Sequence, residues 1–211
     1  RMKKLLLLLC FACFSINCCF ANEVKNLSSD EALKILKAGN LRFQTMKEKH
    51  PDQTKERRKE LEKMQHPFAV VITCSDSRVP PSLIFDQGLG DIFEIRNAGN
   101  VLDNHVIGSV EYAVVHLGVK LVIVMGHENC GAVTAALSNV HESKYIASLT
   151  NSIEPALEMY NENSKEDKLT STIKNNALLV TDNLIKSDRI LSNYVKNKGL
   201  NCLLYTSPSP R

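Results

Sequence analysis

Two short runs, Phe68-Ala69-Val70-Val71-Ile72-Thr73 and Leu121-Val122-Ile123-Val124-Met125, carry no charged side chain and are rich in β-branched residues. Neither alternates polar with apolar, so neither has a face meant for water. That is the pattern of strands covered on both sides, as in parallel sheets packed between helices. Ile92-Phe93-Glu94-Ile95-Arg96 is a third strand candidate. Between the strands, Val106 to Leu117 places Ile107, Val110, Val114 and Leu117 at helical spacing and stops at Gly118, and residues 132–137 read as a further helix. Upstream, Ser28 and Glu31 have the spacing of a capping box, followed by Leu33, Leu36, Leu41 and Phe43 as the apolar side of a helix. The charge-dense stretch 47–63, broken by Pro51, reads as a solvated loop and helix. Residues 148–198 are helical in character, with a polar break at 161–164. Strands alternating with helices predict an α/β domain with a largely parallel central sheet.

In such sheets, ligands gather beyond the carboxyl ends of the strands. The run 68–73 is followed at once by Cys74-Ser75-Asp76-Ser77-Arg78, and the run 121–125, which Gly126 is expected to stop, by Gly126-His127-Glu128-Asn129-Cys130-Gly131. If the two strands are neighbours, Cys74, His127 and Cys130 meet at one point. Two thiolates and an imidazole suit zinc, and three protein ligands leave one position open, as catalytic zinc sites do. The chain offers no further cysteine nearby; Cys202 is a weak candidate for a fourth ligand. Zinc lowers the pKa of a bound water. Two thiolates cancel the charge of the ion, so activity should favour alkaline pH. Asp76 and Arg78 fit a carboxylate that orients that water and an arginine that holds the carboxylate ionised. With Arg78 disengaged, Asp76 is itself a potential ligand.

At these residues the chain resembles the β-class carbonic anhydrases, whose paired signatures Cys-x-Asp-x-Arg and His-x-x-Cys stand here as Cys74/Asp76/Arg78 and His127/Cys130. The likeness runs from about Leu27 to Leu200 and takes in Arg96-Asn97-Ala98-Gly99-Asn100 and Glu111-Tyr112-Ala113-Val114. It implies an α/β fold around a mixed, largely parallel sheet and one Zn2+ per subunit on Cys74, His127 and Cys130. It also implies Asp76 and Arg78 as an orienting dyad, and reversible hydration of carbon dioxide to bicarbonate and a proton by attack of zinc-bound hydroxide. A homodimer or higher homo-oligomer follows, with the site near the interface. Gln65, Phe93, Tyr112 and Gly131 match substrate-cleft positions; for Phe93 and Tyr112, ordinary core packing is an equal alternative. Val71 stands where a gated subgroup has tryptophan, so an ungated site is expected, and Ala98 replaces a common valine. Hydrolysis of carbon disulfide or carbonyl sulfide on the same site, and a non-catalytic zinc scaffold, remain alternatives.

The termini carry separate expectations. Met2-Lys3-Lys4, the apolar stretch Leu5 to Ile16 and Cys19-Phe20-Ala21 read as a secretory signal cleaved after Ala21, with residues 22–202 as a single domain exported to a bacterial periplasm and no stable membrane anchor. Removing the signal leaves Cys74, Cys130 and Cys202, a poor disulfide framework in an exported protein. The basic excess also sits in the first residues, and from Asn22 onward acidic and basic residues balance. A nucleic-acid partner therefore has no electrostatic support. Arg1 and the tail 203–211 read as foreign to the domain, and a closing C-terminal strand is expected to be missing. His50, His66, His105, His116 and His141 are candidate proton shuttles among which spacing does not choose.

Overall fold

The computed structural model describes residues 27–207, so the signal sequence expected at 1–21 lies outside the described residues. Helix α1 (Ser29–Gln44) starts as anticipated: Ser28 caps it, its N–H donates to Glu31 Oε2 at 2.8 Å, and the Glu31 N–H donates back to Ser28 Oγ at 3.3 Å. The helix buries Ala32 and Leu36, with Leu33 and Phe43 packed alongside. Leu41, expected on that face, is 61% exposed. The inward position is taken instead by Asn40, whose Nδ2 donates to the Ile84 carbonyl at 3.0 Å. The charged stretch that follows forms a loop and α2 (Lys55–Glu60), which buries none of its own residues.

The two apolar runs become β1 (Ala69–Cys74) and β3 (Leu121–His127), each buried at every position. Between β1 and β3 lie α3 (Pro81–Ile84), β2 (Ile92–Asn97), a 3-10 turn (Ala98–Asn100) and α4 (Asn104–His116). After β3 come α5 (Gly131–Leu137), α6 (Lys144–Glu158), α7 (Lys168–Ser187), α8 (Arg189–Asn197) and β4 (Asn201–Ser207). The strand order is β2-β1-β3-β4, and every pairing is parallel. The sheet is thus not mixed among the described residues. Alternation splits its side chains between two cores. Val70, Ile72, Val122 and Val124 meet α4, α7 and α8 on one face, while Ala69, Val71, Leu121, Ile123 and Met125 meet α1 and α3 on the other.

Two expectations about strand ends need correction. Gly126 does not stop β3, which continues through His127. A Cβ at Gly126 would lie 3.0 Å from Ile173 Cγ2, so the glycine serves the close approach of α7 rather than a turn. The closing strand expected to be missing is present as β4. Cys202 packs toward one core and Leu203 and Tyr205 toward the other, while Leu204 is 40% exposed. That alternation is masked in the sequence because the inward and outward residues are nearly equal in hydrophobicity. Among the described residues, no helix is long and apolar enough to cross a membrane.

Candidate metal centre

β1 and β3 are hydrogen-bonded neighbours with Thr73 opposite Met125, so Cys74 ends one strand beside the Gly126-His127 end of the other. The Thr73 hydroxyl donates to the Met125 carbonyl at 3.0 Å and ties the two ends together. Cys130 follows after a two-residue turn and precedes α5. The ligand atoms of Cys74, His127 and Cys130 all lie within 4.8 Å of one another, and all three residues are buried. Their hydrogen bonding leaves donor atoms that suit a cation. His127 Nδ1 stands 3.0 Å from the Glu128 carbonyl, which only accepts, so the proton sits on Nδ1 and Nε2 keeps its lone pair. That Nε2 is buried with no partner. Cys74 and Cys130 are not disulfide-bonded, their sulfurs 3.9 Å apart. Contact with Cys130 pulls the Cys74 thiol down to about 4 against the opposing effect of burial, with help from His127 and the Gly99 N–H. The Cys74 contact and burial push Cys130 far above the ordinary thiol range. The two sulfurs thus share one proton, and a cation is what makes both of them thiolates. The donor set fits zinc.

Asp76 is held away from this cluster. Arg78 Nε donates to Oδ1 at 2.9 Å and Arg78 Nη2 to Oδ2 at 2.8 Å, a bidentate pair, while the Arg78 backbone N–H donates to Oδ1 at 2.9 Å. Arg78 Nη2 also reaches the Asn129 carbonyl at 3.2 Å, linking this loop to the one that carries His127 and Cys130. The guanidinium beside it holds the Asp76 carboxyl well below the usual carboxylate range. Asp76 Oδ2 stands 3.9 Å from His127 Nε2, at the margin of the metal position.

Of the remaining expected residues, Gly131 adjoins the cluster, and Gln65, Phe93, Tyr112 and Cys202 are not gathered here. Gln65 is exposed on the segment entering β1 from its amino end, and Cys74 ends that strand. Phe93 lies opposite Val70, well short of Asn97, which is the residue opposite Cys74. Its ring packs 6.3 Å from that of Tyr112, which is 48% exposed. Tyr112 lines a surface groove of about 480 Å³ between α4 and α8 with Glu111, His116, Ile190 and Tyr194. Gly131 opens α5 beside Cys130, and a Cβ there would meet nothing within 4 Å. Cys202 pairs in register with Val122, five positions before His127, which removes it as a fourth ligand.

Two residues that the sequence reading quoted without a role do belong to the site. Arg96 donates to the Cys74 carbonyl at 3.1 Å and the Asp76 carbonyl at 2.7 Å, bracing the loop between them. The Gly99 N–H donates to Cys74 Sγ at 3.3 Å. An arginine ending a strand and a glycine in an Asn-Ala-Gly-Asn turn were the available signals.

Comparison with known proteins is decided by one match: the carbonic anhydrase family model covers residues 69–206. The chain belongs to the β-carbonic anhydrase family. A carbonic anhydrase of Mycolicibacterium smegmatis is 53% identical over 113 residues, covering 54% of this chain and 55% of that protein. The chain thus spans about half the length of that relative. A carbonic anhydrase of Helicobacter pylori is 33% identical over 193 residues, covering 80% of this chain and 85% of its own. Among solved structures, a tetrameric β-carbonic anhydrase of Sordaria macrospora shares the fold with a TM-score of 0.61 at 23% identity, over 68% of this chain and 77% of that one.

Proposed function

We propose that this protein is a zinc-dependent carbonic anhydrase that interconverts carbon dioxide and water with bicarbonate and a proton. One observation carries the reading: Cys74, His127 and Cys130 converge with an unpartnered His127 Nε2, beside a carboxylate locked in place by Arg78. Cys74, His127 and Cys130 hold the zinc, which when bound supplies the Lewis acidity that makes hydroxide available near neutral pH. Asp76, kept ionised by Arg78, accepts a hydrogen bond from the attacking water and aims its lone pair at the carbon of carbon dioxide. The proton released passes to buffer.

The reading extends to assembly. Gln65, Phe93 and Tyr112 lie too far from the cluster of their own chain to touch a substrate there. If they line a cleft, it is the cleft of a second copy, which supports a homodimer or higher homo-oligomer with the Phe93–Tyr112 surface at the interface. Light scattering tests this; a chain that is active as a monomer contradicts it. The basic start, apolar stretch and Ala21 support export to a bacterial periplasm, to be checked by cell fractionation.

Asp76→Ala separates an enzyme from a zinc scaffold. The expected result is turnover lost with zinc retained. Full turnover in that variant contradicts the assigned role, and loss of zinc together with fold points to a structural site.

A further inference from the structure

Asn176 lies on α7, far in sequence from every residue assigned above. Its side chain is buried, and its Nδ2 donates to the Gly99 carbonyl at 2.9 Å. Gly99 is the middle residue of the 3-10 turn after β2 and has φ +74. Its own N–H is the donor to Cys74 Sγ at 3.3 Å. A continuous series of contacts therefore runs from the Asn176 amide, through the Gly99 carbonyl and the backbone of one residue, to a thiolate of the metal set. One turn earlier on the same helix, Ile173 presses on Gly126, next to His127. Helix α7 thus touches both the turn that donates to Cys74 and the end of β3 that carries His127.

The physical consequence follows from the glycine. A left-handed glycine is conformationally free, so the direction of its N–H is only as fixed as its surroundings make it. The buried carbonyl needs a donor, and Asn176 supplies one while pinning the turn. A hydrogen bond to a thiolate withdraws charge from the sulfur and weakens its donation to a metal.

We propose that Asn176 is a positioning residue for the metal centre: by holding the Gly99 carbonyl it keeps the Gly99 N–H on the Cys74 thiolate and so sets the charge that this thiolate gives to the cation. The inference rests on the metal-centre reading above. Cobalt loaded into the full chain reports on it through the thiolate-to-cobalt charge-transfer band. The comparison set is wild type, Asn176→Ala, Asn176→Leu (which keeps the buried volume) and Asn175→Ala. Asn175 is the control, because its Nδ2 donates to the Ala156 carbonyl at 3.2 Å and its loss leaves the turn untouched.

In both Asn176 variants the band should move to lower energy, because the thiolate regains charge, while the zinc dissociation constant, measured by chelator competition, should rise about tenfold, because the unpinned turn no longer holds Cys74 in place and that loss outweighs the stronger donation. Asn175→Ala should match wild type in both. An unshifted band in a folded Asn176 variant, with zinc affinity within twofold of wild type, overturns the proposal. If neither Asn176 variant folds while Asn175→Ala does, Asn176 is purely structural and the proposal also fails. A wild-type chain with no thiolate charge-transfer band would instead sink the metal-centre reading itself.

Discussion

Replacing Gly99 with alanine tests the turn that links the sheet to the Cys74 sulfur. With φ at +74, any residue with a Cβ adopts this backbone at a cost of about 1–2 kcal/mol. The added Cβ would lie 2.8 Å from Ile153 Cδ1, closer than real contacts allow, and a tight 3.0 Å from Ala132 Cβ. Ile153 is fully buried, so the overlap is relieved only by moving packed side chains, at about 1–3 kcal/mol. Gly99→Ala should therefore destabilise the folded protein by about 2–5 kcal/mol, read by chemical denaturation at fixed protein and zinc concentrations. The two contributions separate in a double-mutant cycle. Ile153→Val removes the Cδ1 methyl, costs about 0.5–1.5 kcal/mol alone, and should recover part of the steric cost but none of the backbone strain. A Gly99→Ala protein within about 0.5 kcal/mol of wild type would refute both the φ and the packing argued here, as would full additivity of the two substitutions for the packing alone.

Arg78→Ala removes the bidentate partner of Asp76, whose Oδ2 is then free to swing toward His127 Nε2, 3.9 Å away, and the ligand cluster. Carbon dioxide hydration should fall at least tenfold with zinc content unchanged, and unaltered turnover would contradict the role given to the pair. Because contact between the two sulfurs pulls one thiol down and pushes the other above the ordinary range, the metal-free pair keeps one proton between them at pH 8, and binding zinc must expel it. Calorimetry in buffers of different ionisation enthalpy should count one proton released per zinc, with affinity rising about tenfold per pH unit; a count of two would mean the sulfurs do not share a proton. Gly126→Ala drives a Cβ to 3.0 Å from Ile173 Cγ2 beside His127 and should weaken zinc binding more than it lowers thermal stability, measured on the same sample.

The parts of the fold that were legible in the sequence share a feature: the signal is local and repeated. β1 and β3 announce themselves because both faces are covered, and the capping box of Ser28 and Glu31 because its spacing is fixed by hydrogen-bond geometry. The cluster of Cys74, His127 and Cys130 was legible once those strands were assumed adjacent, since register then does the rest. What escaped depends on approach between distant segments. Gly126 reads as a strand stop until α7 is seen against it, and Leu41 reads as core until Asn40 takes the inward position. β4 was missed because its inward Leu203 and outward Leu204 are the same residue type. Arg96 and Asn176 escaped because their targets are backbone carbonyls, which leave no trace in side-chain patterning.

The most direct test of the central claim is stopped-flow carbon dioxide hydration on the full chain, with zinc measured on the same sample. The expected result is one zinc per chain, rapid turnover that rises toward alkaline pH, and loss of that turnover when zinc is removed, with recovery on its return. A folded protein that holds one zinc per chain and yet hydrates carbon dioxide no faster than buffer would contradict it.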